Sequence, residues 1–529
     1  MTLELDEKMR GRRLVARDHP VLHNPNDGTD VSLAADELAA PLSTGGRPER
    51  VIATGNVVLD AVRSNGRDQL TAASSNLELV PDSQQPRHFT ADGNVAVQSN
   101  LADGSTRHLQ TSHLEVYFAD SGQGDSHIDR AAASAGIIEW QNAPRGSSQG
   151  ETESMRLTGK LLDGSFGETG ELRELHGADR VEVVRRVAGG APMTSTSREL
   201  VAHIAPDGSW SSVDQTGDVR LKSADGDAQG DHAHFDRIAD TVTLTGAVSI
   251  TDASSQTRAQ SATFRQNTND LRAEGNVATT ELPQPGGGVS DAKSEPSHAS
   301  SDRLVADTAT GHAVYSGKAR LWQGGSVIQA DTIELTRATR TLIATGNVRA
   351  VFPQTGQAPG PARTTAAPSG PRFWRAEASR MTYEEDEHRA HLEQNARIGS
   401  PDGSLRADRM DLFFVQPDQS TPASQPAQAS PKSGVGTGLG TSFAGQQLQR
   451  AQGVGAIRVE NEGRVGTGDR ADYWAPEDRF VLSGGRPKLT DQSGNSTTGR
   501  QLTFYLAGDK ILVDSEEGSR TLTLHRVEK

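Results

Sequence analysis

Leu342-Ile343-Ala344-Thr345-Gly346-Asn347-Val348-Arg349-Ala350 is the stretch on which the fold turns. Its central phrase, Ala-Thr-Gly-Asn-Val, occurs unchanged at 53–57. Close copies are Ala-Asp-Gly-Asn-Val at 91–95 and Ala-Glu-Gly-Asn-Val at 273–277. Weaker ones stand at 215–219, 244–248 and 315–319, with degenerate copies around Gly177, Gln394, Gly453 and Gly484. Gly217, Gly246 and Gly275 are spaced by 29, as are Gly317 and Gly346. A recurring period of this length marks a chain built from stacked units that bury a common core.

Within the phrase, Leu342, Ala344, Gly346, Val348 and Ala350 share one parity. So do Val242, Leu244, Gly246, Val248 and Ile250, and Phe89, Ala91, Gly93, Val95 and Val97. Alternation is the mark of a strand with one buried face. Because it runs unbroken through the glycine, the phrase predicts one strand of about nine residues, not a hairpin turn of the Asn-Gly kind. A glycine inside a strand marks a bend or bulge. On the inner face it is expected to leave unfilled volume. A second kind of segment follows each phrase, as in Leu114-Glu-Val-Tyr-Phe118, Met410-Asp-Leu-Phe-Phe414 and Leu502-Thr-Phe-Tyr-Leu506. Sustained helical spacing is almost absent, and the acidic stretch Glu384–His388 reads as a hairpin loop. The pattern is all-β, with eleven or twelve units of about two strands.

Composition sharpens this. Val, Leu, Ile and Phe together number 100 of 529 residues, and aromatics are 4%. That is close to the ~20% below which chains tend to stay disordered, so the few apolar residues must be placed economically. Pro283–Ser300, Pro353–Arg372 and Gln416–Gln447 are rich in Pro, Gly, Ser, Ala and Gln and read as flexible insertions. The expected organisation is repeats over 1–282, a linker at 283–300, repeats over 301–415 with the 353–372 insertion, a low-complexity linker at 416–447, and repeats over 448–529. The net charge of −15, with no basic block, argues against nucleic acid as a partner. The absence of cysteine excludes disulfides, Cys-based zinc sites and thiol catalysis. No apolar run reaches the ~18 residues of a membrane span, and the first residues lack the pattern of a signal peptide.

Catalytic-looking strings fail on context. Gly146-Ser-Ser-Gln-Gly150 matches a nucleophile elbow but lacks the strand before and the helix after it. Gly434–Gly440 resembles a phosphate loop inside the longest linker. His232 and His234 share a strand face, with no third ligand at a recognisable spacing. No enzyme, metal or cofactor is expected.

The Gly-Asn-Val phrase, flanked by alternating apolar residues and followed by strands such as Arg406-Ala-Asp-Arg-Met-Asp-Leu412 and Asp469-Arg-Ala-Asp-Tyr473, resembles the OstA-like family. That family includes the periplasmic lipopolysaccharide-transport proteins LptA and LptC and the N-terminal region of LptD. The resemblance implies an elongated open β-jelly-roll, two antiparallel sheets folded in a V, with lipid A acyl chains held in an apolar inter-sheet groove. It also implies a periplasmic location, a bridge or chaperone role in transport to the outer membrane, and pairing with other Lpt-type jelly-rolls or with itself, head to tail, through edge strands. This chain departs in its length and its insertions. The inward residues expected to touch lipid are Val57, Leu59, Val95, Val97, Val248, Ile250, Phe264, Leu335, Val348, Leu412 and Phe414. The competing expectation is a structural β-solenoid or surface protein with a fully packed interior and no lipid ligand.

Overall fold

Alternating apolar residues give strands, and strands are nearly all that the computed structural model contains. It describes the chain apart from residues 27–28, 64–65, 103, 121–125, 142–152, 188, 207, 266–267, 282–295, 355–371, 402, 416–445, 462, 506–510, 515–521 and 525–529. Among the described residues the sole helical element is the 3-10 turn Ala475–Glu477, and no helix is long and apolar enough to cross a membrane. The chain forms two compact units, one of Met1–Val248 with Arg265–Asn267, the other of Ser249–Phe264 with Thr268–Lys529. Most of the three proline- and glycine-rich insertions lies outside the described residues. Their edges are strand: His298–Asp307 starts inside the first, Thr341–Gln354 ends inside the second, and Gln447–Asn461 starts at the end of the third.

In the first unit the strands Arg50–Arg63, Gly66–Leu79, Pro86–Leu101, Thr106–Asp120 and Ser126–Gln141 each pair antiparallel with the next. The order continues through Glu153–Phe166, Leu172–Val187, Met193–Ile204, Trp210–Lys222 and Asp227–Asp236. In the second unit the same meander runs from Asp270–Glu281 to Gly403–Val415 and on to Gln447–Asn461 and Arg464–Trp474. The acidic stretch 385–388 is the expected hairpin turn, between Arg372–Glu384 and Arg389–Ser400.

The Gly-Asn phrase sits within a single strand, as the parity required, but it is a bulge. In Thr341–Gln354, Gly346 and Asn347 have φ of 79° and 50°, and the register with the following strand Arg372–Glu384 slips between Thr345 and Val348. The same left-handed pair recurs at Gly55-Asn56, Gly93-Asn94, Gly217-Asp218, Gly246-Ala247, Gly275-Asn276 and Gly317-Lys318. Where the phrase decays the bulge persists: it falls at Asp179-Arg180, Gln394-Asn395 and Gly455-Ala456. It therefore lies two residues after the Gly177 and Gly453 that the sequence suggests. Two residues facing one on the partner bend a strand, so every second strand is divided into two arms.

The glycine does not leave the expected void. A Cβ on Gly346 would lie 2.2 Å from Oδ2 of Asp331, and one on Gly55 would stand the same distance from Oδ2 of Asp36. These carboxylates occupy the space, and each accepts a hydrogen bond from the side-chain amide of the following residue: Asn347 to Asp331 at 2.9 Å and Asn56 to Asp36 at 3.0 Å. Asp331 is exposed, so the missing side chain serves the outer face while Ala344 and Val348 are buried on the inner one.

The outer face carries directly opposed histidine–carboxylate pairs: His113 with Asp92 at 2.6 Å, His234 with Asp214 and His391 with Asp411 at 2.7 Å. His113 also contacts Glu115 at 3.1 Å through its other nitrogen, and Tyr117 donates to Glu115 at 2.7 Å. Hydrogen bonds to Asp92 and then Glu115 hold the protonated imidazole and raise its pKa.

Two measurements check these features. Gly346→Ala should lower unfolding stability by about 1–3 kcal/mol in urea titration, since it combines a left-handed backbone with a carboxylate clash. Adding Asp331→Ala should restore only the steric part; full recovery would mean that the φ carries no cost. NMR titration of His113 should give a midpoint above the ordinary imidazole value, and Asp92→Asn with Glu115→Gln should bring it back. Because the folded value is raised, the stabilisation is complete below the ordinary imidazole pKa and fades as pH rises through the folded one. A midpoint at or below the ordinary value in the wild-type chain contradicts the geometry.

Candidate functional site: an apolar cavity between the arms

Bent strands give each unit two facing sets of inward side chains, and what lies between them depends on side-chain size. In the second unit Leu342 and Ala344 precede the bulge and Val348, Ala350 and Phe352 follow it, all buried. Register carries the first arm from Leu342 through Tyr383, Ala390 and Leu412 to Ala451 and Tyr473. It places Phe352 and Trp374 together on the second arm. Phe352 meets Phe414, which lies beyond Leu412 on the first arm, at a ring separation of 4.9 Å, and Trp374 meets Tyr473 at 5.2 Å. Aromatic pairs thus close this interior from one arm to the other.

The first unit has an opening instead. A cavity of about 160 Å³ lies between one arm holding Trp140, Met155, Leu157, Val183, Met193 and Ser195 and another holding Leu175, Leu200, Ala202, Trp210, Val213, Phe235 and Val242. For comparison, an engineered apolar cavity of roughly 150 Å³ stays dry and accepts benzene. The walls pass from the buried Leu157, Leu200 and Phe235 to the half-buried Trp140, Met155, Met193 and Trp210. Arg185, Asp236, Arg237 and Asp240 supply polar groups to the lining. Asp236 is held by the turn it starts, accepting from the amides of Ile238 at 2.8 Å and Ala239 at 2.9 Å.

One polar contact spans the interior. Gln215, on the Leu200 arm, donates from Nε2 to Oγ of Ser195 at 3.0 Å. Both residues are buried, Gln215 to 1% exposure, and Gln215 Oε1 has no partner.

None of the eleven residues chosen from sequence lines this cavity. Val57 and Val95 are buried in the core cluster of the first unit, with Leu59 and Val97 packed against it. Val248, Leu335, Val348, Leu412 and Phe414 are fully buried, while Ile250 and Phe264 keep partial exposure. Repetition drew attention to the best copies of the motif, and those are the best-packed places. The overlooked signal was scarcity: two of five tryptophans and two of six methionines fall at 140, 210, 155 and 193.

The other strings resolve plainly. Residues 146–150 and 434–440 lie outside the described residues. His234 is paired with Asp214, and His232 reaches the hydroxyl of Thr216 at 3.4 Å, both on the exposed face. Among the described residues no group of three or more His, Cys, Asp and Glu is placed to hold a metal ion. Both ring nitrogens of His113 are engaged by carboxylates, which leaves neither to deprotonate a nucleophile.

No curated protein sequence matches the chain. Among solved structures, the crystal structure of LptH, the LptA-homologous periplasmic component of the lipopolysaccharide transport device from Pseudomonas aeruginosa, is similar at 16% identity and a TM-score of 0.18, over 25% of this chain and 90% of that one. Residues 298–417 match the family described as LptA/(LptD N-terminal domain) LPS transport protein. That segment, with its Gly346-Asn347 bulge and its strands from His298–Asp307 to Gly403–Val415, belongs to the LptA/LptD N-terminal, OstA-like family of lipopolysaccharide-transport domains.

Proposed function

We propose that the chain is a periplasmic lipopolysaccharide-binding protein, acting without catalysis as a bridge or chaperone toward the outer membrane. The observation that carries this reading is the apolar cavity between the arms of the first unit, which its own side chains do not fill. Acyl chains entering such a space gain ~0.8 kcal/mol per buried methylene, while the sugar and phosphate head stays in water near Arg185 and Arg237. Among the residues chosen from sequence, Leu59 and Val97 in the first unit and Ile250 and Phe264 in the second remain proposed lipid contacts through their partial exposure. Val57, Val95, Val248, Leu335, Val348, Leu412 and Phe414 act by shaping the arms. Edge strands are the proposed route to neighbours. Among the described residues Thr2–Leu5 pairs on one side only, with Gly11–Arg17, and it exposes Leu3 and Leu5, so it offers an open ladder to another Lpt-type jelly-roll or to a second copy.

The competing reading, a packed structural solenoid, has support in the second unit, where Phe352–Phe414 and Trp374–Tyr473 close the interior. Photo-crosslinking separates the two. A crosslinker replacing Met155, Met193 or Trp210 in the full chain should label lipopolysaccharide, and one replacing the exposed Asp331 should not. Absence of label at all three cavity positions would sink lipid binding and leave the solenoid. Ala202→Phe, which fills the cavity from its buried wall, should cut capture at least tenfold at a stability cost of about 1–3 kcal/mol. Leu412→Asp is a poor lipid test, since it buries a carboxylate in a closed core and should unfold the second unit first.

A further inference from the structure

The sequence holds no basic block, yet the second unit assembles one from single residues on successive strands. On its second arm, register carries an outward row from Arg320 and Arg349 to Arg397, Arg406, Arg458 and Lys488, with Glu377 as its sole acid. All six cations are exposed except the half-buried Arg397. Adjacent strands lie about 4.8 Å apart, so Arg397, Arg406 and Arg458 are close neighbours on three consecutive strands. Glu377 lies 3.8 Å from Arg397, and Glu460, from the next row, 2.6 Å from Arg458. Among the described residues no ion pair engages Arg320, Arg349, Arg406 or Lys488. The first arm is the opposite: its outward row through Ile343 carries Glu334, Asp411 and Asp472 and neither Lys nor Arg. In a chain of net charge −15 the second arm is thus a local reversal of sign. An apolar border runs beside the cations toward the end of the arm. Trp322, Val327 and Val351 are directly opposed and half-buried, and Phe373 beyond them is 39% exposed.

We propose that this face docks on a phospholipid bilayer with anionic headgroups, the arginines on the phosphates and the Trp322–Phe373 border at headgroup depth. The cavity of the first unit has no part in it. Arginine presents a planar fork that grips phosphate oxygens in pairs. Cations gathered near an anionic leaflet add their attractions, and aromatic and aliphatic groups beside them hold a protein at the interface. A soluble polyanion would use the charge and leave the border in water; the border is what favours a bilayer.

The test floats the full chain with vesicles of phosphatidylcholine alone, or of phosphatidylcholine and phosphatidylglycerol at about three to one, the second kind supplying the anionic surface. The chain should bind the mixed vesicles only and release them at high salt. Arg349→Gln with Arg406→Gln should weaken binding about tenfold. Arg337→Gln with Arg340→Gln removes the same charge from a hairpin turn at the end of the first arm, and should leave binding unchanged. Phe373→Ser should weaken binding at every salt concentration. All five positions are exposed, so each variant keeps its fold. Equal loss in the two arginine pairs would make the effect one of net charge and overturn the proposal. Equal binding to both kinds of vesicle, or binding to dextran sulfate without binding to mixed vesicles, overturns it as well. Each of these outcomes is independent of lipopolysaccharide crosslinking in the first unit.

Discussion

A bulge set by one or two residues in the left-handed region, repeated in every second strand of the meander, is the constraint on which the rest of the molecule depends. Each such residue costs of order 1–3 kcal/mol outside glycine, and the chain accepts it at Asp179-Arg180 and Gln394-Asn395, where no glycine is present. What offsets the strain is the bend. A flat antiparallel meander of fourteen-residue strands such as Arg50–Arg63 would leave its apolar face in water. Bent at the same height, each strand turns one half of that face toward the other half. The exposed carboxylates of Asp36 and Asp331 then hold the bulge from outside by accepting from Asn56 and Asn347.

Once the arms face each other, the size of the residues at their ends decides what the interior is. Phe352, Trp374, Phe414 and Tyr473 reach across and meet, so the second unit is closed at that level. Around Leu157, Leu200 and Ala202 the space between the arms stays open, although Trp140, Trp210 and Phe235 also line it. One repeat thus supports a packed core and a cavity with the same backbone. Family membership, which the matched segment establishes for 298–417, therefore does not locate a ligand.

Much of this was legible in the sequence. Alternation through Leu342, Ala344, Gly346, Val348 and Ala350 gave the strand, its inner face and its continuity, because a period of two has little freedom once one side is buried. The bulge was half legible: the glycine marked it, but its meaning was reversed, since the space it leaves is taken by Asp331 on the outside. That could not be read from one strand, because the carboxylate comes from its neighbour at a register known only after pairing. The cavity was not legible at all. Its walls come from residues spread between Trp140 and Val242, and the distance between facing arms has no signature in any single segment.

The same geometry explains how so few aliphatic residues organise so long a chain. Two arms meeting at a bulge enclose a wedge, narrow at the bend and wider away from it. Alanine is the residue that stands next to the bend on its N-terminal side: Ala53, Ala91, Ala273 and Ala344 all have 0% exposure. Valine follows on the other side at 57, 95, 277 and 348, also buried. Larger groups, Phe89, Leu271 and Leu342, appear one step farther out. Interiors are close-packed, so a wedge demands this grading, and a leucine at the crease would force the arms apart. Alanine therefore does much of the burial that Val, Leu, Ile and Phe do in a thicker core. An aliphatic fraction that would suggest disorder in a globular enzyme is what a creased sheet requires.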